Sequence, residues 1–399
     1  MSNTFKYAVP TILFTLLVYN AAIHTYLPFK ESAYTTLSWT FNISFFVMVV
    51  LMLRKKDILL NTQYTLFHLG VSMFLIGVAV IDLTKSHDHN SLLLMILYIS
   101  FFVAISYISW RPKQLQIFGV LAVVFLLWIV FQWSQAGYID NRYSGYFYNT
   151  NVKGIFVASL IFFPIAAYRN APIYLRIFYT VGIIGGLVMT YVSTARSAML
   201  LLVVAIGAWL VLRFSNKLFF YLFHIILLCS ALFVLVYHLL AMSRFATGLN
   251  EWSLEQFGKS FFSGRQHIWG ESVQYALNAP ILGHKVGIAP KDFMEGTHYV
   301  HTHNQYIQIF LESGIVGLGL FVLMLYGIWV VLQKNLQSSV VQWSACFFLG
   351  ILVYQTVEIS LFFNMKPIGL FHWFMIGLGV SGVLFHQKQS NRRIRQHYK

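Results

Sequence analysis

Stretches of 17 to 26 residues with almost no charge recur from one end of this chain to the other. That recurrence restricts the fold more than any motif does. A stretch of that length crosses the hydrocarbon core as an α-helix, because only a helix satisfies its own backbone groups there. Twelve such spans are readable, near 8–27, 35–53, 65–83, 92–110, 115–134, 152–168, 175–193, 197–213, 218–241, 307–332, 340–362 and 367–386. The fold class is therefore all-α, a polytopic integral membrane protein with about twelve transmembrane helices. With 58% hydrophobic and 10% charged residues and a mean hydropathy of +0.69, a soluble domain is excluded.

The net charge of +15 would suggest nucleic acid in a soluble protein. In a membrane protein the positive-inside rule explains it first. With the N-terminus inside, sixteen of the 27 Lys and Arg fall in short inner loops and the two ends, Arg54-Lys55-Lys56 and the tail from Lys388 to Lys399 among them. Both termini are expected in the cytoplasm. The tail of 387–399 is expected to be disordered and held near anionic headgroups, with no nucleic acid as partner. The run at 8–27 lacks a convincing cleavage site and reads as a retained first helix. Cys229 and Cys346 both lie in apolar runs, so no disulfide framework is implied.

Helices one to nine occupy 1–241, and helices ten to twelve occupy 307–386. Between them lies the exception among short connections, an extracytoplasmic loop of about 65 residues at 242–306. A loop of that length in such a scaffold is where function concentrates. Within it, Ser263 to Pro280 reads as a short amphipathic helix with Ser263 as N-cap and an apolar stripe of Ile268, Trp269, Val273, Ala276 and Leu277. Arg265 then stands in the first turn, the wrong end for a cation beside the helix dipole. That position makes sense where an anion sits on the guanidinium and the free N–H groups together.

The loop ends in His301-Thr-His303-Asn304 at the outer boundary of the tenth span. A histidine there is a candidate general base, because the ordinary imidazole pKa lies near neutrality. His301, two residues earlier, is expected to point elsewhere. Gly314 and Gly317 are expected on one helical face, allowing a neighbouring helix close approach. Arg196, in a tight hairpin between two spans, is costly unless paired or facing a water-filled cavity. The segment 135–154 adds Arg142, Lys153 and several tyrosines, suited to sugar stacking and phosphate contact or to a plain interfacial belt. Asp82 and Glu358 could each pair with a cation or carry protons. The His298, His301 and His303 spacing has no carboxylate partner of the His-Glu-x-x-His kind, and no metal is assigned.

His303-Asn304, nine residues, then Gly314-Ile-Val-Gly317-Leu-Gly319 resembles the signature of the O-antigen ligase and polymerase superfamily. Arg196 in Ser-Thr-Ala-Arg-Ser, and Gly264-Arg265 followed by Trp269, occur in the family's order. The resemblance covers roughly 140–335; Leu318 departs from it, where ligases often carry a small polar residue. The resemblance implies a membrane glycosyltransferase of the GT-C type in the bacterial inner membrane. Such enzymes move a glycan from undecaprenyl diphosphate to an acceptor on the periplasmic face, with no cofactor, nucleotide sugar or metal. A ligase uses the lipid A-core oligosaccharide as acceptor, a polymerase another lipid-linked repeat, and protein-glycosylating relatives a Ser or Thr hydroxyl. Ligase is the favoured reading here.

The residues suit that chemistry. Charge develops on the diphosphate as the anomeric bond breaks, and fixed guanidinium groups stabilise it. Arg196 and Arg265 are the expected ligands, with Arg142 and Lys153 as accessories and His303 as base. His301, Asn304, Gly314, Gly317 and Gly319 are expected to support them. One base without a carboxylate nucleophile points to direct displacement with inversion. The rival class is a lipid-linked-oligosaccharide flippase, which would carry charges along several spans and two pseudo-symmetric halves.

Overall fold

The computed structural model describes residues 12, 30–54, 61, 64–86, 89–138, 142–362 and 366–397. Regular structure among them is helical throughout, with no strand. Eight long helices come first: Lys30–Arg54 (α1), Thr65–Lys85 (α2), Asn90–Tyr107 (α3), Pro112–Gln135 (α4), Thr150–Tyr168 (α5), Ile173–Val192 (α6), Arg196–Phe214 (α7) and Asn216–Ala241 (α8). Two short helices follow in the long loop, Ala246–Phe257 (α9) and Arg265–Ala276 (α10). The chain then returns to the bundle through Gln305–Leu332 (α11), Ser339–Tyr354 (α12) and Lys366–His397 (α13). Ten of these are long and apolar enough to cross a membrane. This is a multi-pass membrane protein. The predicted first span at 8–27 lies outside the described residues except for Ile12.

Two predictions fail in the C-terminal third. The tail expected to be disordered continues α13 as helix to His397. The eleventh span, predicted over 340–362, stops as a helix at Tyr354. The reason is the polar run that follows. Gln355 and Ser360 bond each other twice, Nε2 to Oγ at 2.7 Å and N to Oε1 at 3.1 Å, and Ser360 Oγ meets His372 Nδ1 at 2.8 Å. These partners satisfy buried groups that a continued helix would leave facing apolar neighbours. The freed carbonyl of Gln355 accepts the backbone N–H of Gln305, tying this stretch to the start of α11.

Packing follows enclosure. The apolar window of α13 is 89% buried against 17% for α8, so α13 is the central post and α8 lies at the periphery. α3, α12 and α5 pack around α13, α7 lies on α12, and α2 lies on α11. The α2–α11 crossing is close because each contributes a glycine. A Cβ on Gly70 would stand 3.0 Å from the Leu323 carbonyl oxygen, and one on Gly327 only 2.8 Å from that of Leu66. Without a hydrophobic drive between helices in lipid, such close backbone approach supplies the attraction. It gives α11, whose start carries the site, a rigid backing.

Candidate active site

Five chain segments meet at one end of the bundle: the loop before α5, the α6–α7 hairpin, the 258–265 stretch, the turn 301–304 and the non-helical run 355–360. The hairpin turns on Thr194 in the left-handed region (φ 53°), which places Arg196 at the first position of α7. The Arg196 guanidinium then reaches across to the long loop. It donates to Ser253 Oγ at 3.0 Å, the Ser260 carbonyl at 3.0 Å and Ser263 Oγ at 3.2 Å. Ser263 is thus an acceptor for Arg196 and not the N-cap of α10; that place belongs to Gly264, with φ of 76°.

Arg265 opens α10 as predicted, and a carboxylate of the chain itself pairs with its guanidinium. Its guanidinium donates to Glu358 Oε1 at 2.6 Å. The other carboxylate oxygen, Oε2, lies 3.0 Å from His303 Nδ1. With the Glu358 side chain only 3% exposed, this is a buried Arg–carboxylate–imidazole chain. Burial pushes the Glu358 carboxyl up, but the His303 hydrogen bond and then the Arg265 charge outweigh it, and the group is held below the usual carboxylate range. An ionised carboxylate only accepts, so Nδ1 of His303 carries a proton, and in the neutral imidazole Nε2 is then the nitrogen with the lone pair.

His303 is held in a costly conformation. Its φ of 55° is left-handed, a state that costs a β-carbon residue about 1–3 kcal/mol and clusters at functional sites. The turn is clamped from three sides. Trp269 Nε1 of α10 donates to the Thr302 carbonyl at 2.9 Å, and Gln308 Oε1 of α11 accepts from Thr302 N at 3.1 Å. Asn304 caps α11 by accepting from the Tyr306 and Ile307 amides while its Nδ2 donates to the Thr356 carbonyl at 2.8 Å. Asn304 therefore builds the turn that presents His303. The His301 ring does not point elsewhere: it meets the His303 ring with centroids 4.2 Å apart.

Glu358, expected to pair with a cation or carry protons, pairs with Arg265, and the break after Tyr354 brings it here; one functional candidate, Lys259, escapes sequence reasoning. Lys259 had nothing to distinguish it from other loop lysines. Its Nζ donates to the Thr194 carbonyl at 3.1 Å, and burial first, then the charges of Arg142, Arg196 and Arg265, push its ammonium down to about 8. Arg142 joins the cluster by donating to the Gly258 carbonyl. Arg142, Arg196 and Arg265 thus gather around Lys259, and Arg265 links this group to the Glu358 carboxylate.

Other predicted residues lie apart. Lys153 is fully buried; its Nζ donates to the Tyr143 carbonyl at 2.8 Å and sits 4.0 Å from the centre of that ring. It pins the loop to α5 and is not available to a diphosphate. Gly314 breaks α11, with φ 62° and ψ −164°. A Cβ there would lie 2.3 Å from the Ile281 carbonyl oxygen, because the 280–284 strap enters the break and its carbonyls take the Ile315 and Val316 amides. Gly317 faces Ser313 of its own helix, and Gly319 faces open space. None of the three meets a neighbouring helix, so the predicted helix–helix role is replaced by strap insertion at Gly314. Asp82 pairs with His89 at 2.7 Å.

Beside His301 opens a cavity of about 660 Å³ between α1, α3 and the 287–301 loop. Its walls are mixed: Phe41 and Leu97 are apolar, while Asn42, Gln308 and Glu312 are polar. Mixed apolar and polar walls suit an amphipathic ligand such as a sugar.

Compared with known proteins, residues 180–322 match the family model described as O-Antigen ligase. No curated protein matches the chain. The matched region contains Arg196, Arg265 and His303 and ends inside α11; it supports a ligase-type function in O-antigen synthesis and does not separate ligase from polymerase. Residues 180–322 of the chain are thus similar to the O-antigen ligase family.

Proposed function

We propose that the protein transfers a glycan from undecaprenyl diphosphate to the lipid A-core oligosaccharide, with His303 as general base and Glu358 as the group that orients it. The observation that carries this reading is the Arg265–Glu358–His303 chain standing among three further cations. The acceptor hydroxyl attacks the anomeric carbon, and its proton passes to His303 Nε2. The bond from that carbon to the diphosphate oxygen breaks, and undecaprenyl diphosphate leaves with the electron pair. Arg196, Lys259, Arg142 and the four N–H donors of Arg265 not spent on Glu358 stabilise the charge that appears on it. As the imidazole becomes imidazolium, Glu358 is the counter-charge already in place.

Both Glu358 oxygens are engaged and the side chain is buried, so it is poorly placed to capture the anomeric carbon. That supports single displacement with inversion. The cavity beside His301 has room for acceptor sugars that approach the base. The positive-inside count supports cytoplasmic termini with this end of the bundle on the outer side, and the family likeness supports the inner membrane of a bacterium, which makes that side the periplasm. A lipopolysaccharide gel of a deletion strain tests the reading. Loss of all capped core is expected; core capped with one repeat unit would make the protein a polymerase, and an unchanged ladder would overturn both.

A further inference from the structure

At the opposite end of the same helices lies a second cavity, about 650 Å³, that the reaction does not use. It is bounded by the end of α5, the start of α6, the end of α7 and the α11–α12 connection. Three arginines line it, Arg169, Arg176 and Arg213, and no carboxylate does. A guanidinium carries five N–H donors. Arg169 spends one on the Gln337 carbonyl, at 3.2 Å, and Arg176 two on the Ala171 and Arg169 carbonyls. Arg213 has no hydrogen-bond acceptor among the described residues; its guanidinium lies 4.9 Å from the Trp209 ring centre. Trp209 stacks in turn on Trp343, 5.7 Å apart and within 9° of parallel, as one wall of the cavity.

Three guanidinium groups held together without a counter-charge repel one another, and most of their donors face the opening. An anion removes both costs at once. The helices that bound the opening decide which anion. Ile173 and Ile177 of α6 and Leu210 and Phe214 of α7 are exposed apolar side chains at their ends, Phe214 by 86%, and in a multi-pass protein lipid covers them. Basic pockets between helix ends at this depth suit phosphate headgroups, and indoles favour the same boundary.

We infer that this pocket binds the phosphodiester headgroup of an anionic phospholipid, between Arg169, Arg176 and Arg213 and against the Trp209–Trp343 wall. It is a lipid site separate from the transfer site and does not depend on the function proposed above.

The test is native mass spectrometry of the purified full chain titrated with phosphatidylglycerol or phosphatidylcholine. Wild type retains phosphatidylglycerol at least tenfold more tightly; equal retention of the two overturns the inference without any variant. An Arg169→Gln, Arg213→Gln double variant binds phosphatidylglycerol about thirtyfold more weakly, each cation contributing roughly a factor of five, and keeps its phosphatidylcholine retention. Unchanged phosphatidylglycerol retention in that variant sinks the proposal. Inorganic phosphate at matched concentration does not displace the lipid; if it does so as readily as phosphatidylglycerol itself, the pocket takes free phosphate and the lipid assignment is wrong.

Discussion

Glu358→Gln is the substitution that separates an orienting carboxylate from a merely structural one. The replacement keeps volume and planarity but turns one oxygen into an N–H₂ group. Glu358 faces two donors, Arg265 at 2.6 Å and His303 Nδ1 at 3.0 Å, so an amide satisfies only one of them as acceptor. The strong guanidinium claims the oxygen, and the amide N–H₂ then points at Nδ1. Imidazole accepts from it only by moving its own proton to Nε2, the atom that has to take the acceptor's proton. Two losses follow. A charge-assisted hydrogen bond that strengthens as imidazolium forms is worth about 1.5–3 kcal/mol, roughly tenfold to 150-fold in rate. The wrong tautomer adds to it, and similar amide substitutions in catalytic triads cost up to about 10⁴. The expected fall in kcat is therefore about 10²–10⁴, with the KM for donor changed by much less. The assay is turnover of purified protein with lipid-linked donor and acceptor, at matched amounts of folded protein. Because Glu358 acts through His303, the double variant with His303→Ala is expected to be no slower than His303→Ala alone. A Glu358→Gln enzyme within threefold of wild type, or additive losses in the double variant, would refute the reasoning.

Arg265→Lys is expected to be nearly as damaging as Arg265→Ala, a loss of about tenfold or more in kcat/KM, because an ammonium cannot hold Glu358 and a diphosphate in one plane; near-normal turnover would remove Arg265 from the donor site. Lys259 titrates near 8, and the diphosphate of the intact donor keeps its charge across that range. Donor Kd should therefore rise between pH 7 and pH 9.5, and Lys259→Arg should flatten the profile. The sign for the donor-free protein is opposite: the unfolded lysine holds its proton to higher pH, so thermal stability should rise from about pH 8 towards the ordinary lysine value. Gly314→Ala meets the Ile281 carbonyl at 2.3 Å in a left-handed conformation, so it should cost about 2 kcal/mol or more. Gly319→Ala, with open space around it, should be neutral or slightly stabilising; a thermal melt of both variants compares them.

Much of the bundle is legible because hydropathy and length decide a membrane span nearly alone. The span limits from α2 to α8 differ from the predicted ones by at most three residues, and Arg196, Arg265 and His303 stand out as polar groups where polar groups are costly. What sequence reasoning missed depends on tertiary partners. The polar run after Tyr354 is short and followed by apolar residues, so it passes as the end of the span, and its bonds to Gln305 and His372 are what hold it unwound. Glu358 is invisible as a site residue without that break. The sequence singles out Lys153 as an accessory diphosphate ligand and passes over Lys259, yet Lys153 faces a tyrosine ring under the loop and Lys259 a ring of positive charge. The Gly314-x-x-Gly317 spacing fits a helix–helix contact equally well, and only the 280–284 strap shows what the left-handed glycine accommodates.

The central claim is that one histidine, set by a buried carboxylate, removes the acceptor proton in a glycan transfer. Its most direct test is reconstitution of wild type and His303→Ala in proteoliposomes with an undecaprenyl diphosphate-linked glycan and lipid A-core, followed by mass analysis of both products. Wild type should yield glycan-capped lipid A-core with one undecaprenyl diphosphate released per glycan joined. His303→Ala should bind donor with unchanged Kd and yield about 10²–10⁴ times less product. Capped core formed at the wild-type rate by correctly inserted His303→Ala protein would contradict the account.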